Sequence, residues 1–143
     1  MTQSIEVDHE LPHPPEKVWR ALTEPTLLAS WLMENDIQPI VGHRFQFRAK
    51  PMGGWDGIVH CEVLDADAPR LLRYRWQGGK DEGKGPGSHL DTIVTWTLTP
   101  KGTGTHLHLH HAGFLDKDTF AHENMDKGWR GPLAERLAAA LSA

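Results

Sequence analysis

Gly128-Trp129-Arg130-Gly131-Pro132-Leu133-Ala134-Glu135-Arg136-Leu137-Ala138-Ala139-Ala140-Leu141 is the stretch that decides the shape of this chain. Trp129, Leu133, Leu137 and Leu141 stand four residues apart, so they share one face of a helix. The amphipathic run reaches back to Phe120. Residues 36–113 alternate instead with the period of strands. One long helix after one all-strand block must bury its stripe, and the only large surface on offer is the sheet made just before it. A curved sheet closed by a single helix tends to leave a hollow between the two. The question of function becomes what that hollow holds.

Working back from there, Ile5, Val7, His9 and Leu11 alternate with Glu6, Asp8 and Glu10, which predicts a half-buried first strand. Pro14, Pro15 and Glu16 stop it and start a short helix over 17–23, with proline tolerated in the first turn and an acid at the positive end. Pro25 opens a second short helix, in which Leu27 and Trp31, and Leu28 and Leu32, are four apart. Strands are then expected over 36–40, 43–48, 57–65, 71–77, around 92–98, and over 105–113. Pro39 marks the first of these as an edge. The Asp67-Ala68-Pro69-Arg70 and Lys101-Gly102-Thr103-Gly104 runs are turns. Short links between successive strands favour an antiparallel meander. The glycine-rich stretch 78–88 lacks the spacing of a phosphate-binding loop and reads as a lip near a pocket mouth, with Trp55 beside it. The whole, residues 1–143, is one α+β domain: a curved antiparallel sheet of six or seven strands, two short helices after the first strand and a long helix last.

Size and composition narrow the function. At 143 residues the chain buries roughly 70% of its unfolded surface as one domain. A formal charge of −4 without a basic stripe argues against nucleic acid. No apolar stretch approaches the length of a membrane span and no signal-length run opens the sequence, so a soluble, cytoplasmic protein is expected. Cys61, the single cysteine, alternates with Val59 and Val63 and is expected to be a small buried hydrophobe. Six tryptophans cannot all lie on the surface, and large amphipathic rings suit a pocket wall.

Alternation then selects the candidates. Phe45, Phe47, Tyr74, Trp76, Trp96 and Trp129 fall on inward faces and are the candidate ligand-binding rings. His111 shares its face with Thr105, Leu107 and Leu109, points inward, and is the candidate polar contact; His9 faces inward from the first strand. His106, His108 and His110 share the outer face. A pair two apart on a strand can converge on zinc, but a third ligand from His60 or Glu62 is not convincing, so no metal is expected. Arg44, Arg48, Arg73 and Arg75 read as a solvated outer face. Asp116, Asp118, Glu123 and Asp126 read as acids at a helix start. There is no nucleophile elbow or other catalytic constellation, and no cofactor is implied.

The chain resembles the START-like, or SRPBCC, superfamily with the helix-grip fold. Within it, the sequence is similar to the family of the activator of the heat-shock-chaperone ATPase. The words that carry the resemblance run in order: Pro14-Pro15-Glu16-Lys17-Val18-Trp19, Trp31-Leu32, Val41-Gly42, Gly57-Ile58-Val59, Pro69-Arg70-Leu71-Leu72-Arg73-Tyr74-Arg75-Trp76, Val94-Thr95-Trp96-Thr97-Leu98, His111-Ala112-Gly113-Phe114 and Gly128-Trp129. The resemblance implies a cavity under the last helix that takes apolar ligands. It leaves three roles: a receptor for a hydrophobic or aromatic small molecule; a polyketide cyclase- or dehydratase-like enzyme with His111 and Tyr74 as proton carriers; or an interaction module for a chaperone ATPase. An edge strand such as the first would also support a homodimer.

Overall fold

A computed structural model describes residues 3–50, 56–78 and 90–142. Seven antiparallel strands form one open sheet: β1 (Gln3–Leu11), β2 (Glu34–Asn35), β3 (Arg44–Arg48), β4 (Ile58–Asp67), β5 (Leu71–Gly78), β6 (Leu90–Lys101) and β7 (Gly104–Phe114). Their order is β1-β7-β6-β5-β4-β3-β2, a meander with β1 added beside β7 at the far edge. Two short helices, α1 (Pro15–Thr23) and α2 (Pro25–Trp31), follow β1, and α3 (Thr119–Arg130) and α4 (Pro132–Ser142) follow β7. This is the helix-grip arrangement.

Prolines punctuate the helices. Pro15 opens α1 with Glu16 in its first turn. Glu24 is extended (φ −92°, ψ 121°) because the residue before a proline is pushed out of the helical region. It ends α1 and caps α2 at once: its N–H donates to Arg20 O, and its carbonyl accepts from Leu28 N. The long terminal helix is present but bent in the same way. It is two helices, because Pro132 has no N–H for the carbonyl one turn back and its ring collides with that turn. Gly131 takes the bend at φ −111°, ψ −100°. The stripe survives the bend: Trp129, Leu137 and Leu141 are buried and Leu133 is partly so. α4 packs on α1 and α2, and α3 on β1.

The expected strand over 36–40 is a loop, and the strand of that region is the two-residue β2 before it. Side chains replace the ladder there: Asn35 Oδ1 accepts from Ile37 N and Asp36 Oδ1 from Gln46 N, which is how these residue types compete with sheet pairing. The expected lip at 78–88, apart from Gly78 at the end of β5, and the mouth residue Trp55 lie outside the described residues.

One glycine alters what reaches the core. Gly113 has φ +104°, and a Cβ there would sit 3.2 Å from Asp91 O. The β1 register slips at the same place, Ser4 facing Ala112 but Gln3 facing Phe114. Gly113 is therefore a bulge residue. It reverses the alternation, so Phe114 turns inward beside His111 and is fully buried.

The edge strand β1 is partly covered. His122 Nε2 donates to Ser4 O and Arg130 Nη2 to Glu6 O, each at 2.9 Å. Two side chains of α3 thus occupy carbonyls that another strand would otherwise use.

Candidate functional site: an aromatic interior

The seven residues selected from the sequence come together. Phe45, Phe47, Tyr74, Trp76, Trp96, His111 and Trp129 are all buried, on β3, β5, β6, β7 and α3. Their rings form a continuous path. Phe45 meets Tyr74 at 5.4 Å between centroids, Phe47 meets Trp76 at 5.3 Å, Trp76 meets Trp129 at 6.1 Å, and Trp129 meets Trp96 at 5.6 Å. Most contacts are edge-on or tilted, the geometry that ring quadrupoles favour. The path continues through three residues that alternation did not select. Trp31 stands edge-on to Trp96 at 6.1 Å, Phe114 lies 4.7 Å from His111, and His122 lies 5.2 Å from Phe114. Phe114 was hidden by the bulge. Gly113 inside a strand pattern is the sequence signal that points to it.

His111 is fully enclosed, and its protonation follows from its partners. Thr92 Oγ1 donates its only proton to Trp76 O at 3.0 Å. His111 Nε2, 2.7 Å from that same hydroxyl oxygen, must then be the donor between them. Nδ1 accepts from Trp129 Nε1 at 3.2 Å. The ring is therefore the neutral Nε2–H tautomer with both nitrogens occupied. Burial pushes its pKa down to about 3, with the charges of His110 and His122 adding to the effect. Burial likewise raises the Tyr74 hydroxyl above its usual range, against the opposing hydrogen bond from Trp96. It raises the Cys61 thiol too, so Cys61 is an inert core residue. His9 faces inward but is only half-buried, and desolvation lowers its pKa.

The outer face carries a ladder of histidines and carboxylates. His106, His108 and His110 lie opposite Glu10, Asp8 and Glu6 of β1, while His60 and Glu62 are on β4, across β5 and β6. His106 donates through Nε2 to Asp8 Oδ1 at 2.8 Å and through Nδ1 to Glu10 Oε1. His108 Nδ1 reaches the same Asp8 oxygen at 2.8 Å. Both His106 nitrogens face carboxylates, so the ring is held as an imidazolium. Its pKa is raised, by Glu10 first and Asp8 second. Asp8 and Glu10 are lowered in turn by their histidine hydrogen bonds. Among the described residues no group of three or more such side chains is arranged to hold a metal ion.

The signs define a pH window. The His106 contribution is present below its ordinary value of 6.5 and is lost as pH rises through the raised one. The Asp8 and Glu10 contributions are present above 3.8 and 4.5 and are lost as pH falls through the lowered values. The ladder is thus complete between 4.5 and 6.5. We expect an NMR titration to place the His106 midpoint above 6.5, and Glu10→Gln to bring it back down; a midpoint at or below 6.5 in the native protein would contradict the pairing.

A concavity of about 640 Å³ also lies on this outer side, over β3–β5, edged by Arg44, Gln46, His60, Glu62, Arg75 and Gln77. Its rim is polar, on the side of the sheet away from the rings. The arginines expected on the outer face are there, Arg73 paired with Asp65 at 2.6 Å. Of the acids expected at the helix start, Asp118 is buried and accepts from Leu115 N and Lys117 Nζ.

The family profile described as Activator of Hsp90 ATPase homolog 1-like protein matches residues 12–142. The chain belongs to this family. Protein MLL2253 of Mesorhizobium loti is 38% identical with a TM-score of 0.88, over 98% of this chain and 97% of that one. Protein BH1534 of Bacillus halodurans is 30% identical with a TM-score of 0.74, over 99% of both. The Aha1 dimer protein of Colwellia psychrerythraea, 21% identical with a TM-score of 0.75 over 97% of this chain and 96% of that one, shares the fold. No curated protein matches the sequence. No helix among the described residues is long and apolar enough to cross a membrane.

Proposed function

We propose that this family member is a receptor for a hydrophobic or aromatic small molecule, held against the ring path between the sheet and the α3–α4 arm. The observation that carries the reading is the path itself. Rings from four strands and two helices converge on one side of the sheet, with four tryptophans and a tyrosine where aliphatic side chains would fill a core as well. The rings are closed against one another, so a ligand enters by displacing them or the segments over them. A dehydratase or cyclase in the same interior needs a free proton carrier, and His111 has both nitrogens engaged. That speaks for binding without turnover.

Native mass spectrometry of protein purified from its own host tests the reading. We expect a co-purified neutral small molecule, and no turnover above buffer on a panel of aromatic and polyketide substrates. Protein without bound mass that also fails to take up apolar aromatics would overturn it.

Family membership favours a second reading, an interaction module for a chaperone ATPase. It predicts a complex with the host's heat-shock ATPase at micromolar concentration and a raised ATPase rate. A homodimer through β1 would have to form around the carbonyls that His122 and Arg130 already occupy.

A further inference from the structure

Two polar hydrogens in the ring path have no acceptor among the described residues. Tyr74 Oη accepts from Trp96 Nε1 at 3.1 Å, and its own O–H goes to no described residue. The indole N–H of Trp76, two positions along the same face of β5, is likewise unengaged. The other indoles of the path are all used: Trp31 on Ala21 O, Trp96 on Tyr74, Trp129 on His111. Buried donors are almost always paired, because an unmade hydrogen bond costs a group the water it gave up.

The two rings share a neighbour. Both rings touch Phe47, at 6.1 and 5.3 Å. Tyr74 is 1% exposed and Trp76 4%. Every fully enclosed side-chain nitrogen and oxygen among the described residues has a partner. An unengaged Trp76 Nε1 therefore keeps a trace of accessible surface.

We propose that Tyr74 and Trp76 are the hydrogen-bonding handle of this interior, and that its ligand is a neutral aromatic molecule bearing a carbonyl or similar acceptor. The proposal rests on the receptor reading above and gives it a ligand chemistry. A hydrocarbon would leave both donors unused. An anion would be stripped of water with no cation to meet it: among the described residues no lysine or arginine is buried, and Arg73 and Arg75 alternate to the other face of β5.

The test compares 9-fluorenone with fluorene, which share a ring skeleton and differ in the carbonyl. Binding of each to the native protein and to Tyr74→Phe is measured by equilibrium dialysis. Tyr74→Phe should lower the fluorenone-to-fluorene affinity ratio about fivefold, the worth of one hydrogen bond. A ratio cancels any change in packing that the substitution causes. Should the variant fail to fold, the carbonyl stretch of fluorenone on the native protein serves instead: a band at lower wavenumber than in hydrocarbon solvent supports the handle. A ratio that does not change, or a band at its hydrocarbon position, overturns the handle and leaves the receptor reading standing. Binding of neither compound overturns both. Tighter binding of fluorenone-1-carboxylate than of fluorenone overturns the neutral-ligand assignment.

Discussion

Trp129→Ala should destabilise the domain by about 4 kcal/mol or more, the largest effect expected of any single substitution in the terminal helices. Trp129 is 2% exposed and meets Trp76, Trp96 and His111 edge-on. Truncation removes that area, leaves a void, and strips His111 Nδ1 of its donor. A buried acceptor left unpaired adds about 1–3 kcal/mol. Against a typical total of about 5–15 kcal/mol, this brings the fold close to its limit. Trp129→Phe keeps most of the ring contact and loses the N–H, so about 2 kcal/mol is expected. Urea denaturation of the three proteins checks the order. Equal losses for both variants would mean that ring packing adds nothing beyond the hydrogen bond to His111, and a Phe variant as stable as the native chain would mean that the bond contributes nothing.

Acid should unfold the protein through the same histidine. Unfolded, the ring titrates near 6.5; folded, it stays neutral down to about 3. The unfolded state therefore binds one more proton throughout that interval, and stability falls with pH by about 1.4 kcal/mol per unit below pH 6.5. By pH 4 the loss from His111 reaches about 3 kcal/mol. His9 acts in the same direction, its folded pKa also being lowered by burial. Asp8 and Glu10 contribute only further into acid, where the lowered carboxylates take up protons. Denaturant melts at pH 7, 5.5 and 4 on the native chain and on an Asp8→Asn/Glu10→Gln variant separate the two sources. The variant should retain the slope between pH 6.5 and 4.5. A flat stability there would mean that His111 is not held neutral.

Much of the interior was legible beforehand because a strand's side chains alternate strictly and the polar ones were already on the other beat. In β5, Leu72, Tyr74 and Trp76 against Arg73 and Arg75 admits only one orientation toward a core. The same rule misplaced Phe114, since one glycine at positive φ adds a residue to β7 and reverses the beat. It also left the histidine ladder without its acids. Which strand lies beside β7 is a matter of topology, and β1, nearly a hundred residues earlier, supplies Asp8 and Glu10. The bend at Gly131-Pro132 was written in the proline, though the spacing of Trp129, Leu133, Leu137 and Leu141 runs across it as if the helix were whole.

Local chemistry alone was enough for the element order, the inward rings and the helix-starting prolines, because periodicity, φ restriction and the lack of a proline N–H are properties of neighbouring residues. The tautomer of His111, the pairing of His106 with two carboxylates and the unengaged donors of Tyr74 and Trp76 are of another kind. Each depends on which atoms of distant segments come within about 3 Å, and only the packed chain decides that.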